Sequence, residues 1–227
     1  WETGRFHVDS YDELDGGLDF YAPQTCQGPN GERYMVAWMQ MWQRSIPSHD
    51  LGHGWAGSMT VPRKLGLRDG RLVQELPESV KDHFLVENAP ETIVKGNQIT
   101  IPARGKQTLF EIGAKSGRSF ILSYGNESDA DSALQLIYDA SNKRFSLSRD
   151  QFGYLISGKE SPEIQSRWIQ LDGEKDHHFS ILRDTNSIEV FVDGKTLSMT
   201  FYETTENPVY TFKADEGVDL VVKTYQK

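Results

Sequence analysis

Apolar and polar residues alternate in short runs along most of this chain, with turn residues breaking the pattern about every eight to twelve positions. Arg33–Met39 (Arg-Tyr-Met-Val-Ala-Trp-Met) reads as a short apolar strand. Gly28-Pro29-Asn30-Gly31 precedes it, and its Asn-Gly pair is a strong hairpin signal. Ser58–Val61 and Leu65–Leu67 read as strands around a break at Pro62-Arg63, and Arg68-Asp69-Gly70 turns the chain into Arg71–Glu75. From Leu76 to Ala89 the character changes. Pro77-Glu78-Ser79-Val80-Lys81-Asp82 is polar, lacks strand periodicity and has room for one or two helical turns. Strands then recur at Thr108–Ile112, Ser119–Tyr124, Ala133–Asp139, Arg144–Ser148, His178–Arg183, Ser187–Val192, Ser198–Phe201 and Val218–Thr224. That spacing predicts a β-sandwich.

The chain is therefore all-β, with no internal repeat and no low-complexity segment. It divides into an aromatic unit (1–76), a linker (77–90) and a sandwich (91–227), and Trp1 opens in the middle of what reads as a strand. Composition narrows the partners. With 37% hydrophobic and 11% aromatic residues the 227-residue chain can build a core, and no apolar run is long enough to span a membrane. The net charge of −9, with no basic stripe, argues against nucleic acid. Cys26 is the single cysteine, so no intrachain disulfide forms, which fits a reducing compartment. Asn126-Glu127-Ser128 reads as a polar turn.

The candidate chemistry lies in residues 15–75, where Trp, Tyr, Gln and Asp gather at strand ends. Aromatic rings stack on the apolar faces of sugar rings, and carboxylates and amides hold hydroxyls, so this is the material of a sugar-binding wall. Asp19-Phe20-Tyr21-Ala22-Pro23-Gln24, Trp38-Met39-Gln40-Met41-Trp42, Gly54-Trp55-Ala56-Gly57 and Thr60-Val61-Pro62-Arg63 together resemble the last part of the catalytic domain of glycoside hydrolase family 32, the β-fructosidase group. Leu67-Arg68-Asp69-Gly70-Arg71-Leu72 and Ser187-Ile188-Glu189-Val190-Phe191-Val192-Asp193-Gly194 extend the likeness into the sandwich.

The resemblance implies the C-terminal part of a five-bladed β-propeller followed by a β-sandwich. It implies retaining hydrolysis of sucrose, sucrose 6-phosphate or fructo-oligosaccharides by two carboxylates roughly 5 Å apart. Neither a cofactor nor a metal is implied, and the partner is a fructose-containing saccharide. The Trp-Met-Asn-Asp-Pro-Asn-Gly, Arg-Asp-Pro and Glu-Cys-Pro motifs that carry the family's catalytic carboxylates are absent from the chain. Gly28 stands where a nucleophilic Asp would be needed in Gln27-Gly28-Pro29-Asn30-Gly31, and Thr25 precedes Cys26. No catalytic residue is therefore expected here, and the phrasing is most like bacterial intracellular, cytoplasmic members.

By this resemblance Trp42 lines the fructose pocket, and Trp38 fills propeller core. Asp19 and Tyr21 share a strand face, and either grip substrate hydroxyls or bond between blades. Arg63 reads as a buried arginine joining propeller to sandwich, its carboxylate unidentified, and Glu189 reads as a cross-strand or domain-interface partner. His49, Asp50 and His53 have an i, i+4 spacing, but Gly52 and Gly54 break any helix that would align them as ligands. Arg44 and His49 read as solvated loop charges, with a substrate phosphate as the alternative, and Trp55 anchors its loop by packing. In the sandwich, Arg149 falls in Ser148-Arg149-Asp150, the reverse of the family's Asp-Arg-Ser. Phe145, Phe152, Tyr154, Trp168, Phe179 and Phe191 read as core. The competing function is a non-catalytic carbohydrate-binding or dimerisation sandwich. Open blade edges predict self-association, through the sandwich or the missing propeller part. Light scattering tests this: the chain runs as more than a monomer, and a monomeric species overturns the expectation.

Overall fold

The computed structural model describes residues 4–5, 7–8, 10–40, 42–84, 91–129, 132–158 and 164–225. The second half of the expected linker (85–90) and the strand expected at Trp1 lie outside the described residues.

Four antiparallel strands form the first sheet in chain order: β1 (Tyr21–Gln27), β2 (Arg33–Trp38), β3 (Arg63–Arg68) and β4 (Arg71–Glu75). The hairpin foreseen at Asn30-Gly31 joins β1 to β2, and Gly31 takes a φ of +88° that suits a residue without Cβ. β1 has no alternating signature because Pro23 interrupts it and its register shifts between Tyr21 and Gln24, features of an edge strand with a bulge. One-turn helix α1 (Pro47–Asp50) lies between β2 and β3. Ser58–Val61, expected as a strand, makes only an isolated bridge from Met59 to Trp38. The Thr60 N–H still donates to the Ala37 carbonyl at 2.9 Å, but Pro62 has no N–H with which to continue the ladder. Helix α2 (Glu78–His83) follows Pro77, where helical turns were expected.

The remaining strands are β5 (Glu91–Pro102), β6 (Gln107–Ala114), β7 (Phe120–Gly125), β8 (Ala133–Asp139), β9 (Arg144–Ser148), β10 (Ser166–Gln170), β11 (His177–Arg183), β12 (Ser187–Val192), β13 (Lys195–Thr200) and β14 (Val209–Tyr225). They form one continuous sheet in the order β10-β9-β8-β7-β14-β6-β11-β12-β13, with β5 also on β14. β14 turns the corner. Val209–Ala214 pairs with β7 and Val218–Tyr225 pairs with β6, while the register against β5 shifts between Ala214 and Asp219. A bulge that lets one strand serve both layers folds the sheet over on itself.

Inward-facing residues of the two layers make the core. The Phe120 ring centroid lies 5.0 Å from Phe179, 5.8 Å from Phe212 and 6.3 Å from Phe145, and truncating one such ring costs about 3–5 kcal/mol. Phe145, Phe152, Phe179 and Phe191 are buried as expected, but Tyr154 and Trp168 are 44% and 50% exposed. Trp168 sits on the outward parity of β10, whose burial alternates residue by residue, so its strand position overrides its hydrophobicity. A second cluster of Leu76, Phe84, Leu109, Leu182 and Phe191 joins β4 and α2 to the sandwich. Among the described residues no helix is long and apolar enough to cross a membrane.

The sheet's two end strands, β10 and β13, flank an extended segment that precedes β1. Gly16 N–H donates to the Thr196 carbonyl at 2.8 Å and Leu18 N–H to the Ser198 carbonyl at 3.0 Å, so residues 16–18 lie along β13. Leu18 joins the sandwich core, and Arg167 of β10 pairs with Glu13. The approach is close on both sides. A Cβ on Gly16 would stand 2.2 Å from Ile169 Cγ2, and one on Gly17 would stand 2.0 Å from the Ser198 carbonyl oxygen. By packing, residues 13–19 therefore belong to the sandwich as well as to the sheet they lead into. Gly17→Ala should force the segment off the β13 backbone and lower stability by about 1–3 kcal/mol. Thermal unfolding measures this, and an unchanged midpoint would show that the segment tolerates displacement.

Candidate functional site

Arg63 opens β3 and is fully buried between the two units. Its Nη1 donates to Asp15 Oδ2 at 2.8 Å, Thr196 Oγ1 at 2.8 Å and Gln74 Oε1 at 3.0 Å. Its Nη2 donates to Glu189 Oε2 at 2.9 Å and to the Ser198 hydroxyl. The other Glu189 oxygen accepts from the Val61 N–H at 2.7 Å. Burial pushes the Glu189 carboxyl above its ordinary range, while Arg63 and the Val61 amide pull it back. The expected joining arginine thus has two carboxylates, one from each side of the junction. Phe20 and Phe191 rings lie 4.8 and 5.7 Å from its guanidinium carbon, which closes the charge off from water.

A second ionic node lies further along β13. Asp19 Oδ2 accepts from Arg149 Nη1 at 2.5 Å, from the Thr200 N–H at 2.8 Å and from the Thr200 hydroxyl at 2.9 Å. Arg149 follows β9 and also donates to Gln165 Oε1 at 2.8 Å. Burial pulls its guanidinium below the ordinary arginine range, opposed by Asp19. The other Asp19 oxygen has Arg44 Nη1 at 3.7 Å. Only 14% of the Arg44 side chain is exposed, so this residue is no solvated loop charge. The structure buries it because residues 44 and 45 dock on the sandwich: Arg44 bridges Gly158, and the Ser45 N–H donates to the Ser157 carbonyl at 2.8 Å. A Cβ on Gly158 would lie 2.8 Å from Arg44 Cγ.

Above this node stand three aromatic rings. Tyr21 opens β1, Trp38 ends β2 and Trp42 follows it. Trp38 and Trp42 meet edge to face with centroids 5.4 Å apart, and Tyr21 lies 6.1 Å from Trp38 and 6.3 Å from Trp42. Trp42 is 66% exposed and Tyr21 38%. Trp38 is half-buried within this cluster rather than in a core, because Tyr21 and Trp42 flank it on the surface. Trp55, expected to be packed, is 47% exposed, with the His53 ring 5.0 Å away. His49 and Asp50 are exposed on α1. Depressions also lie elsewhere. One of about 600 Å³ is polar and lined by Asn126, Asp129, Gln151 and Glu206. Another of about 440 Å³ lies at the junction beside His83 and Glu189. Neither is lined by Trp42 or Tyr21.

Of the candidate residues, the structure brings Tyr21 and Trp42 together and sets Asp19 apart as a buried interface carboxylate. Asp15 and Arg149 were missed. The bonds that define them cross most of the chain, and Ser148-Arg149-Asp150 read against the expected order.

The Glycosyl hydrolases family 32 N-terminal domain matches residues 1–76, and Glycosyl hydrolases family 32 C terminal matches residues 74–226. The chain belongs to glycosyl hydrolases family 32. The sucrose-6-phosphate hydrolase of Escherichia coli is 30% identical over 230 residues, which cover 97% of this chain and 45% of that protein. The chain thus spans under half the length of that curated relative. In fold, a sucrose-6-phosphate hydrolase from Lactobacillus gasseri matches with a TM-score of 0.80 at 22% identity, over 94% of this chain and 42% of the other. A Bombyx mori GH32 β-fructofuranosidase mutant in complex with sucrose matches with a TM-score of 0.77 at 19% identity, over 100% of this chain and 45% of the other. In this family-32 chain the β1–β4 sheet is part of a β-propeller, and the larger sheet is the β-sandwich behind it. Arg63→Ala should lower the unfolding free energy by about 3–5 kcal/mol, because it leaves two buried carboxylates uncompensated. Adding Glu189→Ala to that variant should cost less than it does in the wild type. Chemical denaturation of the four proteins in the cycle measures both, and strictly additive losses would mean the charges act independently.

Proposed function

We propose that this chain is the C-terminal part of a retaining β-fructofuranosidase and supplies one wall of its fructose pocket. The observation that carries the reading is the exposed Tyr21–Trp38–Trp42 cluster on a family-32 blade. Trp42 offers an apolar ring for a furanose face, and Tyr21 adds a hydroxyl beside it. Asp19 acts from below: held by Arg149 and Thr200, it draws Arg44 inward and so steadies the loop that presents Trp42. The sandwich is then the support of the pocket wall. The substrates are fructose-containing saccharides: sucrose, sucrose 6-phosphate or fructo-oligosaccharides. The division into 1–76, 77–90 and 91–227 follows from this reading, and the free Cys26 suits a reducing bacterial cytoplasm.

Retaining hydrolysis needs a carboxylate nucleophile and a carboxylic acid on opposite sides of the scissile bond. The motifs that supply them in this family are absent from the chain. The 227-residue chain should therefore release no fructose from sucrose or sucrose 6-phosphate. Combined with a family-32 segment carrying the nucleophile and acid/base motifs, it should release fructose, and Trp42→Ala should lower kcat/KM in the mixture by about ten- to a hundredfold. Turnover by the chain alone overturns the division of chemistry, and an undiminished Trp42→Ala mixture removes Trp42 from the wall.

A further inference from the structure

The outer face of one sandwich layer carries a pattern that neither the aromatic wall nor the junction uses. Strand register aligns Ser166, Ser148, Gln135, Ser123, Thr211 and Thr100 in one row across six neighbouring strands. A parallel row aligns Trp168, Ser146, Ile137, Ile121, Lys213 and Gln98. The strand neighbours of these residues, among them Leu122, Leu136, Leu147 and Phe212, are buried in the core. Side chains alternate along a strand, so both rows face outward. Five strand spacings make each row about 24 Å long.

The composition of the face is unusual for this protein. A quarter of the chain is charged, which would put three charges among these twelve positions, yet Lys213 is the only one in the two rows; Arg144 and Asp139 stand in the row beside them. In its place are hydroxyls, amides and two isoleucines. Trp168 stands half exposed at one end, and the Arg144 guanidinium carbon lies 4.3 Å above its ring, which restrains the indole in one orientation.

We propose that this face binds a neutral polysaccharide chain, with Trp168 as the stacking platform and Ser148, Gln135 and Ser123 as hydroxyl-binding positions. Two rows that hold a single charge suit an uncharged ligand, and rows of hydroxyls and amides match a ligand that is itself hydroxyl-rich. A nucleic acid would require cations along the row. Protein interfaces are depleted in the serine that dominates here. The proposal does not depend on the pocket wall: Trp42 is on the other unit, and no catalytic group is required.

Affinity electrophoresis of the 227-residue chain through native gels containing inulin, levan, xylan or soluble starch tests it. Migration is slowed by at least one polymer, and Trp168→Ala and Gln135→Lys each weaken that binding by about tenfold. Leu67→Ala, at an exposed position on β3, leaves the retardation intact. Thermal unfolding confirms that each variant remains folded. The proposal is overturned if no polymer retards the chain, if the two face variants migrate like the wild type, or if Leu67→Ala abolishes retardation. It is equally overturned if light scattering shows that Gln135→Lys converts a dimer to a monomer, since a second copy would then occupy the face.

Discussion

A guanidinium taken wholly out of water costs several kcal/mol unless negative charge and further acceptors come with it. For Arg63 these come from opposite directions. Asp15 arrives on the segment that precedes β1, Glu189 arrives on β12, and Gln74, Thr196 and Ser198 add further acceptors to the two terminal nitrogens. The blade and the sandwich cannot shift against each other without stripping one of these partners. β13 supplies the matching surface: Thr196, Ser198 and Thr200 alternate with core residues Leu197 and Met199, so their hydroxyls line one face toward the junction. The same strand that closes the hydrophobic core therefore presents the polar rungs on which both buried arginines depend.

Much of the architecture was legible in the local pattern. β8, β9 and β12 run as their alternation predicts, and the Asn30-Gly31 hairpin and the turns after Pro77 lie where turn chemistry put them. What escaped was whatever depended on distant partners. Arg63 could be read as a buried joining residue, but its carboxylates lie 48 and 126 positions away along the chain. β1 carries a proline and a bulge, so its membership in the sheet comes from pairing with β2 rather than from its own periodicity. Arg44 read as a surface charge because the groups that cover it, among them Gly158 of the sandwich, are distant in sequence.

The aromatic cluster shows the same dependence at the level of the site. Trp42 is presented on a connection whose next residues rest on the Ser157-Gly158 backbone and whose arginine leans toward Asp19. Edge-to-face contacts among Tyr21, Trp38 and Trp42 orient the rings with respect to one another. Their orientation with respect to the rest of the protein is set from the sandwich. A cluster of blade residues is thus steadied by groups outside the blade.

The segment at residues 13–19, wedged between β10 and β13, also bears on the order in which the molecule forms. Asp15 finds its Ser198 partners at a separation of 183 positions along the chain, a very long-range closure for which the loop entropy must be lost before any contact is gained. On a ribosome this piece emerges well before its docking strand. The N-terminal sheet must wait, incompletely anchored, until nearly the whole sandwich has been synthesised, and the sandwich in turn keeps an open side until it captures a strand made long before. Neither unit completes itself, so the two finish folding as one cooperative event rather than as successive domains.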